Sequence, residues 1–352
     1  MVIVLHAEAT ERELEQVIER LAGWGIMGFA AANQGRKLVC LSQTLSLEIQ
    51  TRLRSVCPVV EHTLDIKAPY KLASLEFQAT PTEVVVGQGA GQVRIGSGQF
   101  VVMAGPCTIE SEEQLYKTAA AVKQSGANIL RGGAFKPRTS PYSFQGMGVE
   151  GLELLQRVSR HYDIPTITEV MEPGYVEAVA QYADVLQIGA RNMQNFPLLR
   201  EAGKAGKPVM LKRGPSATLD EWLMSAEYIL ATGNHQVILC ERGIKSFDTA
   251  TRNCLDLGGV AAVQEKTHLP VIVDPSHATG KRSLVPPLAL AAAAMGANGI
   301  MVECHPHPEQ ALCDGAQSIT PQQLFELVKG VHKVVAAVSE IYEPEEADIV
   351  AA

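Results

Sequence analysis

Residues 129–146, ILRGGAFKPRTSPYSFQG, hold the reading on which the fold turns. The stretch begins as a short apolar run and breaks at Gly132 and Gly133. It then gathers Lys136 and Arg138 around Pro137 and Pro141, among several hydroxyls. An apolar run that stops at paired glycines is what a buried strand leaving its sheet for a loop looks like. Fixed positive charge placed just past that point marks the loop as one that meets a ligand.

The same unit recurs along the chain. Apolar strands are predicted at 100–104, 128–130, 165–167, 185–188, 209–211, 236–239, 271–273 and 299–302, with helical segments between them. Several of those helices carry start signals: Ser111 with Gln114, Thr218 with Glu221, and Thr320 followed by Pro321. Near-continuous apolar strands alternating with helices imply a parallel sheet covered on both faces. Eight units in roughly 250 residues imply an α/β protein whose core is a closed (β/α)8 TIM barrel, placed at 99–340. An open doubly wound sheet is the rival, but no GxGxxG follows the first strand.

The first seventy residues read differently: strand, helix, strand, strand, helix, strand. Thr10 and Glu13 form a capping-box pair, and Gln34-Gly35 makes a hairpin turn. That order predicts a small ferredoxin-like α+β domain over 1–70, regulatory or assembly in role. The glycine-rich GQGAGQ and GSG place a linker and short hairpin at 71–98, and 341–352 reads as an acidic C-terminal tail.

Composition excludes several classes. With 352 residues and 46% hydrophobic content the chain buries a large core, and a net charge of −8 argues against nonspecific nucleic-acid binding. Seven cysteines without a CxxC pair fit a reducing compartment better than a disulfide framework. The opening VIVL run lacks the basic flank of a signal peptide. No apolar stretch predicts a membrane span, so a cytoplasmic location is expected.

In a barrel, chemistry collects beyond the C-terminal ends of the strands. The inventory there is Cys107, Arg131 with Lys136, Glu169, Arg191, Lys212 with Arg213, Arg242, Asp274 with His277, and Glu303. Arg131, Lys136, Arg138, Arg191, Lys212 and Arg242 would converge on one mouth, and so many cations with too few carboxylate partners call for an anionic ligand carrying phosphate. Gly132, Gly133 and the turn at 137–140 add backbone donors and hydroxyls. A second set suggests a metal. Cys107, His277 and Glu303 end strands that become neighbours on closure, and Asp314 in the last loop is a candidate fourth ligand. That mixed donor set suits Zn, Mn, Fe or Co. His305 and His307 are a local decoy, while Cys240, Cys254, Cys304 and Cys313 read as packing or loop residues.

The motifs AGPCTIES, RGGAFKPRTSPYSFQG, QIGARNMQN, LKRG, ERGIKSFDTATRN, VDPSHATGKR and VECHPHPEQALCDGAQS resemble the type I beta group of 3-deoxy-D-arabino-heptulosonate 7-phosphate (DAHP) synthases over about 93–335. KPRTS discriminates most, because the sister 3-deoxy-D-manno-octulosonate 8-phosphate synthases usually carry an Asn-Arg-Ser version. The resemblance implies condensation of phosphoenolpyruvate with erythrose 4-phosphate, releasing inorganic phosphate at the entry to the shikimate pathway. It implies a divalent metal (Mn, Fe, Co or Zn) on Cys107, His277, Glu303 and Asp314. Phosphoenolpyruvate would meet Arg131, Lys136, Lys212, Arg242 and the Ala190-Arg191 turn. Arg138 and Thr139 would take the aldose phosphate, with Asp274 near its hydroxyls. Lys136 is expected as proton donor or water-orienting group, and Glu169 as a second group placing the water. Cys304 and Cys313 depart from the relatives and add thiols beside the metal site. The front domain is expected either to bind an aromatic amino-acid effector or to pack subunits, in a homo-oligomer taken as a tetramer, with no nucleic-acid or membrane partner. The alternatives are the octulosonate synthase, an aldolase acting on another phosphosugar, and a noncatalytic sensor of phosphorylated metabolites.

Overall fold

The computed structural model describes residues 1–33, 35–96, 98–136, 140 and 142–342. Gln34, Arg138 and Thr139, and all but the first two residues of the acidic tail, lie outside the described residues.

Eight parallel strands close a barrel: β7 (Val101–Gly105), β8 (Ile129–Arg131), β9 (Thr166–Val170), β10 (Val185–Ile188), β11 (Val209–Lys212), β12 (Val237–Glu241), β13 (Val271–Val273) and β14 (Gly299–Glu303). The seam is β14 against β7, in register from Gly299↔Val101 to Glu303↔Gly105. Around it run α3 (Glu112–Ser125), α4 (Val149–Tyr162), α5 (Val176–Tyr182), α6 (Phe196–Lys204), α7 (Leu219–Leu230), α8 (Leu257–Gln264), α9 (Pro275–Thr279), α10 (Val285–Ala294) and α11 (Pro321–Tyr342). Side chains alternate across each strand, so Val102 and Ala104 join the helix-facing core while Val101 and Met103 fill the barrel interior. The predicted start signals are real caps: Ser111 Oγ accepts from the Gln114 amide, and Thr218 with Glu221 closes a reciprocal box.

The end of the barrel where the strands begin is closed by a hairpin, β5 (Val84–Val86) with β6 (Val93–Ile95). Val84, Val86, Val93 and Ile95 pack against Val101, Met103, Ile129 and Ile272, sealing that end with hydrocarbon.

The first residues form β1 (Val2–Leu5), α1 (Glu11–Ala22), β2 (Gly28–Asn33), β3 (Arg36–Leu41), α2 (Leu47–Val56) and β4 (Val60–Leu64). The sheet order is β2-β3-β1-β4, antiparallel throughout, which leaves β1 and β2 parallel with β3 between them. Period-two alternation gives the sheet two apolar faces. Ile3, Leu5, Val39 and Leu41 pack with Leu14, Val17, Leu21 and Leu53 of α1 and α2, whereas Val2, Val4, Ala31 and Leu38 merge with the barrel's outer core. The connecting segment is pinned by Glu227 of α7, whose carboxylate accepts the Lys71 N–H, the Leu72 N–H at 2.7 Å and the Ala73 N–H at 3.0 Å.

Candidate active site at the barrel mouth

Two glycines let the mouth close up. A Cβ on Gly105 would lie 2.0 Å from the Arg131 carbonyl oxygen, and one on Gly189 would lie 2.0 Å from Glu169 Oε1. Gly105 must stay bare because the backbone of the neighbouring strand comes so close, and Gly189 because the Glu169 carboxylate does. Four residues expected just beyond strand ends lie on the strands themselves: Arg131, Lys212 and Glu303 end β8, β11 and β14, and Glu169 sits within β9. The apolar count stops too early because the top layer of the barrel is polar, although the ladder continues through it.

Cys107, His277, Glu303 and Asp314 come together, their nearest ligand atoms all within 4.8 Å of one another. Cys107 Sγ is 3.1 Å from Asp314 Oδ2, and His277 Nε2 is 3.2 Å from Glu303 Oε1 and 3.9 Å from Asp314 Oδ2. One thiol, one imidazole and two carboxylates converging at that spacing can hold a metal ion, so the donor set fits the group. Asp274 lies behind them, fully buried. Its carboxylate takes the His277 Nδ1 side of the ring at 2.7 Å and the His277 backbone N–H at 2.9 Å. With Nδ1 engaged, Nε2 is the nitrogen turned to the cluster. Burial lowers the His277 pKa, favouring the neutral ring that ligation requires, against the opposing pull of Asp274 and Glu303. Burial also works against ionising Asp274, but His277 and Lys212 outweigh it and hold the carboxyl well below the usual range.

Beside the cluster opens a cavity of about 670 Å³. Its lining includes Lys136, Arg191, Lys212, Arg242, Lys245 and Arg252 against only Glu169 and Asp314 among the described residues, with Ala190 and His277 also on its wall. Arg131 and Asp274 do not line it. The expected shortage of carboxylate partners needs correction. Arg131 Nη1 pairs with Glu303 Oε1 at 2.9 Å, Lys212 Nζ with Asp274 Oδ2 at 2.5 Å, and Lys136 Nζ lies 3.7 Å from Asp314 Oδ2. Glu303 and Asp314 of the cluster, with Asp274 behind it, partly neutralise these cations, and Arg252 Nη1 also lies 3.7 Å from Asp314 Oδ1. The cavity wall still carries more cations than carboxylates among the described residues. Arg131 keeps one buried donor, Nε, with no partner among the described residues. Arg213 is withdrawn from the site, held by Glu241 at 3.0 Å and Asp256 at 2.8 Å.

Lys136 joins the two halves: its Nζ donates to Cys107 Sγ at 2.6 Å while its side chain lines the cavity. Burial disfavours its charge, yet Cys107 and Glu303 prevail and raise its pKa above the ordinary lysine value, so it carries its proton. Glu169 faces the cavity with Oε2 3.4 Å from Gln187 Nε2. His305 is turned aside to Glu110 at 3.3 Å, and Cys304 is buried in the helix-facing core. Cys313 is a loop residue, and its thiol does stand beside the cluster, with Sγ 3.4 Å from Cys107 Sγ. Sequence reasoning passed over Arg252, Lys245 and Gln317. Lys245 and Arg252 both lie within the ERGIKSFDTATRN motif, a signal within reach, whereas a neutral amide gives none.

An eight-stranded barrel whose mouth joins a metal-capable cluster to a cationic cavity is the architecture of a barrel enzyme acting on anionic substrates. Comparison narrows it: residues 75–340 match the DAHP synthetase I family, and the chain belongs to that family. It is 44% identical over 337 residues to the phospho-2-dehydro-3-deoxyheptonate aldolase of Thermotoga maritima, covering 96% of this chain and 98% of that one. A crystal structure of DAHP synthase from the same organism superposes with a TM-score of 0.75 at 43% identity, over 96% of this chain and 97% of that one. The 2-dehydro-3-deoxyphosphooctonate aldolase of Francisella tularensis is 34% identical over 256 residues, 66% of this chain and 91% of that one. Among the described residues no helix is long and apolar enough to cross a membrane.

Proposed function

We propose that the chain condenses phosphoenolpyruvate with erythrose 4-phosphate, giving DAHP and inorganic phosphate. The observation that carries this is Lys136, whose Nζ touches the Cys107 thiol of the metal-capable cluster while the same side chain lines the cationic cavity. A carbonyl beside the cluster and an enol phosphate in the cavity would lie next to one another.

A divalent ion (Mn, Fe, Co or Zn) on Cys107, His277, Glu303 and Asp314 would supply Lewis-acid polarisation of an aldehyde oxygen. The remaining steps belong to the chain. Lys136, Lys212, Arg242 and the Ala190-Arg191 turn, which line the cavity, hold the carboxylate and phosphate of phosphoenolpyruvate, with C3 of the enol facing the aldehyde carbon. Arg131, set behind the cavity wall beside Glu303, adds its charge from there. Arg138 and Thr139 take the aldose phosphate. Attack through C3 leaves positive character at C2, which water captures; Glu169, facing the cavity, orients that water. The C–O bond to phosphate then breaks and inorganic phosphate leaves. Lys136, bearing its proton, donates to the oxygen that develops negative charge. Asp274 acts from behind, fixing the His277 ring and the Lys212 ammonium.

The front unit, with its β2-β3-β1-β4 order, is read as a ferredoxin-like domain over 1–70, followed by a linker and hairpin at 71–98 and the barrel over 99–340. Its role is regulation by an aromatic amino acid or subunit packing, in a cytoplasmic homo-oligomer taken as a tetramer. Titrating activity with tyrosine and phenylalanine separates these roles: a response to either supports regulation, and indifference to both leaves packing. A second reading, octulosonate synthesis, is favoured by the relatives of that name. Measuring phosphate release from phosphoenolpyruvate with erythrose 4-phosphate and with arabinose 5-phosphate decides it. Turnover with the four-carbon aldose is expected, and turnover with the pentose phosphate alone would overturn the assignment.

A further inference from the structure

Gln317 stands at the junction of the two carboxylates in the cluster. Its side chain is only 3% exposed, and Nε2 donates to Glu303 Oε2 at 2.7 Å. On the other side of the amide, Oε1 accepts from Arg252 Nη1 at 3.3 Å. Its backbone N–H reaches the Asp314 carbonyl at 3.3 Å, closing the turn in which Asp314 adopts a left-handed φ of 53°. One residue therefore grips the side chain of one acidic member of the cluster and the backbone of the other.

The chemistry of the two neighbours leaves little choice of residue. Glu303 can only accept and Arg252 can only donate, so the amide has a single orientation that satisfies both. A carboxylate at 317 would suit Arg252 but face Glu303 as a like charge. An ammonium would suit Glu303 but repel Arg252. A thioether would fill the volume and satisfy neither.

The consequence concerns Glu303. Its Oε1 points into the cluster, 3.2 Å from His277 Nε2, and is shared with Arg131 at 2.9 Å. Its Oε2 is taken by Gln317. A fully buried carboxylate with one oxygen fixed from behind presents the other at a set angle and cannot rotate to meet Arg131 with both.

We infer that Gln317 is a positioning residue for metal binding: by holding Glu303 Oε2 and the Asp314 turn, it presents both carboxylates to the cation and limits Arg131 as a competitor for Glu303. This rests on the metal reading proposed above.

The test uses the metal-stripped full-length chain and Mn2+ alone, with free ion followed by electron paramagnetic resonance. Wild type should bind one ion per chain, and Cys107→Ser should lose it. If wild type binds no ion at this site, the metal reading fails, and the inference with it. Given that site, Gln317→Met and Gln317→Glu should both bind Mn2+ at least about tenfold more weakly, a larger loss than any fall in their metal-free melting temperatures accounts for. Affinity within about twofold of wild type in either variant would overturn the role of Gln317 while leaving the metal site standing. So would a loss of affinity that merely tracks a loss of metal-free stability.

Discussion

The two ends of one barrel are built on opposite principles. Where the strands begin, Val84, Val86, Val93 and Ile95 close the interior with hydrocarbon. Where they end, the interior layer is replaced by Arg131, Lys212 and Glu303, charges that are 5% exposed or less. The first end gains free energy from burying area, with no demand on angle. The second buries charges that cost several kcal/mol each to desolvate and repays that only through paired geometry. Strength is concentrated at one end and directed chemistry at the other, with the same strands serving both.

That contrast breaks if substitutions at the two ends have similar consequences. The largest effect is expected at the mouth. Cys107→Ala should lower kcat about a thousandfold, the loss of several kcal/mol of Lewis-acid stabilisation, with a melting temperature close to wild type. Steady-state kinetics and calorimetry on the same sample check both halves. Next comes Lys136→Met, for which a fall in kcat of about a hundredfold is expected, exceeding any change in KM for phosphoenolpyruvate. A variant that altered KM alone would reduce Lys136 to substrate binding. At the opposite end, Ile95→Ala should cost about 2–4 kcal/mol of stability by leaving a cavity, with kcat per folded molecule unchanged in denaturant-free assays.

How much of this was legible in the sequence follows the same division. The apolar strands and their order could be read, because a parallel strand covered on both faces must be almost continuously apolar, as VVMA and VIV are. Their C-terminal limits came out short, since Arg131, Glu169, Lys212 and Glu303 are strand residues that look like loop residues. The membership of the metal-capable cluster was readable from strand ends that become neighbours on closure. The pairing of its carboxylates with cations was not: Arg131 and Glu303 are 172 residues apart and Lys212 and Asp274 are 62 apart. Gln317 was invisible for a simpler reason, since an amide carries no charge to count.

The smallest effect concerns pH and sharpens the comparison away from the mouth. His268 bridges the Leu72 carbonyl and the Thr82 hydroxyl at 2.6 and 2.7 Å, tying the connecting segment to the barrel. Burial lowers its pKa below 6.5, against an opposing pull from the Leu72 carbonyl. Below that value the unfolded chain takes up a proton that the folded chain resists, so this contribution to stability is intact above 6.5 and falls as pH drops. Melting temperatures in chelator at pH 7.5 and 5.5 should differ less for His268→Gln than for wild type. An equal or larger difference in the variant would remove His268 from the account.

The central claim is that one cation held by Cys107, His277, Glu303 and Asp314 works beside the cationic cavity. Its most direct measurement is phosphate release from phosphoenolpyruvate and erythrose 4-phosphate by chelator-treated chain, before and after Mn2+ is returned. The account predicts no turnover in chelator, recovery with the metal in wild type, and none in Cys107→Ala. Full turnover by the stripped wild-type chain, or recovery in the Cys107 variant equal to wild type, would contradict it.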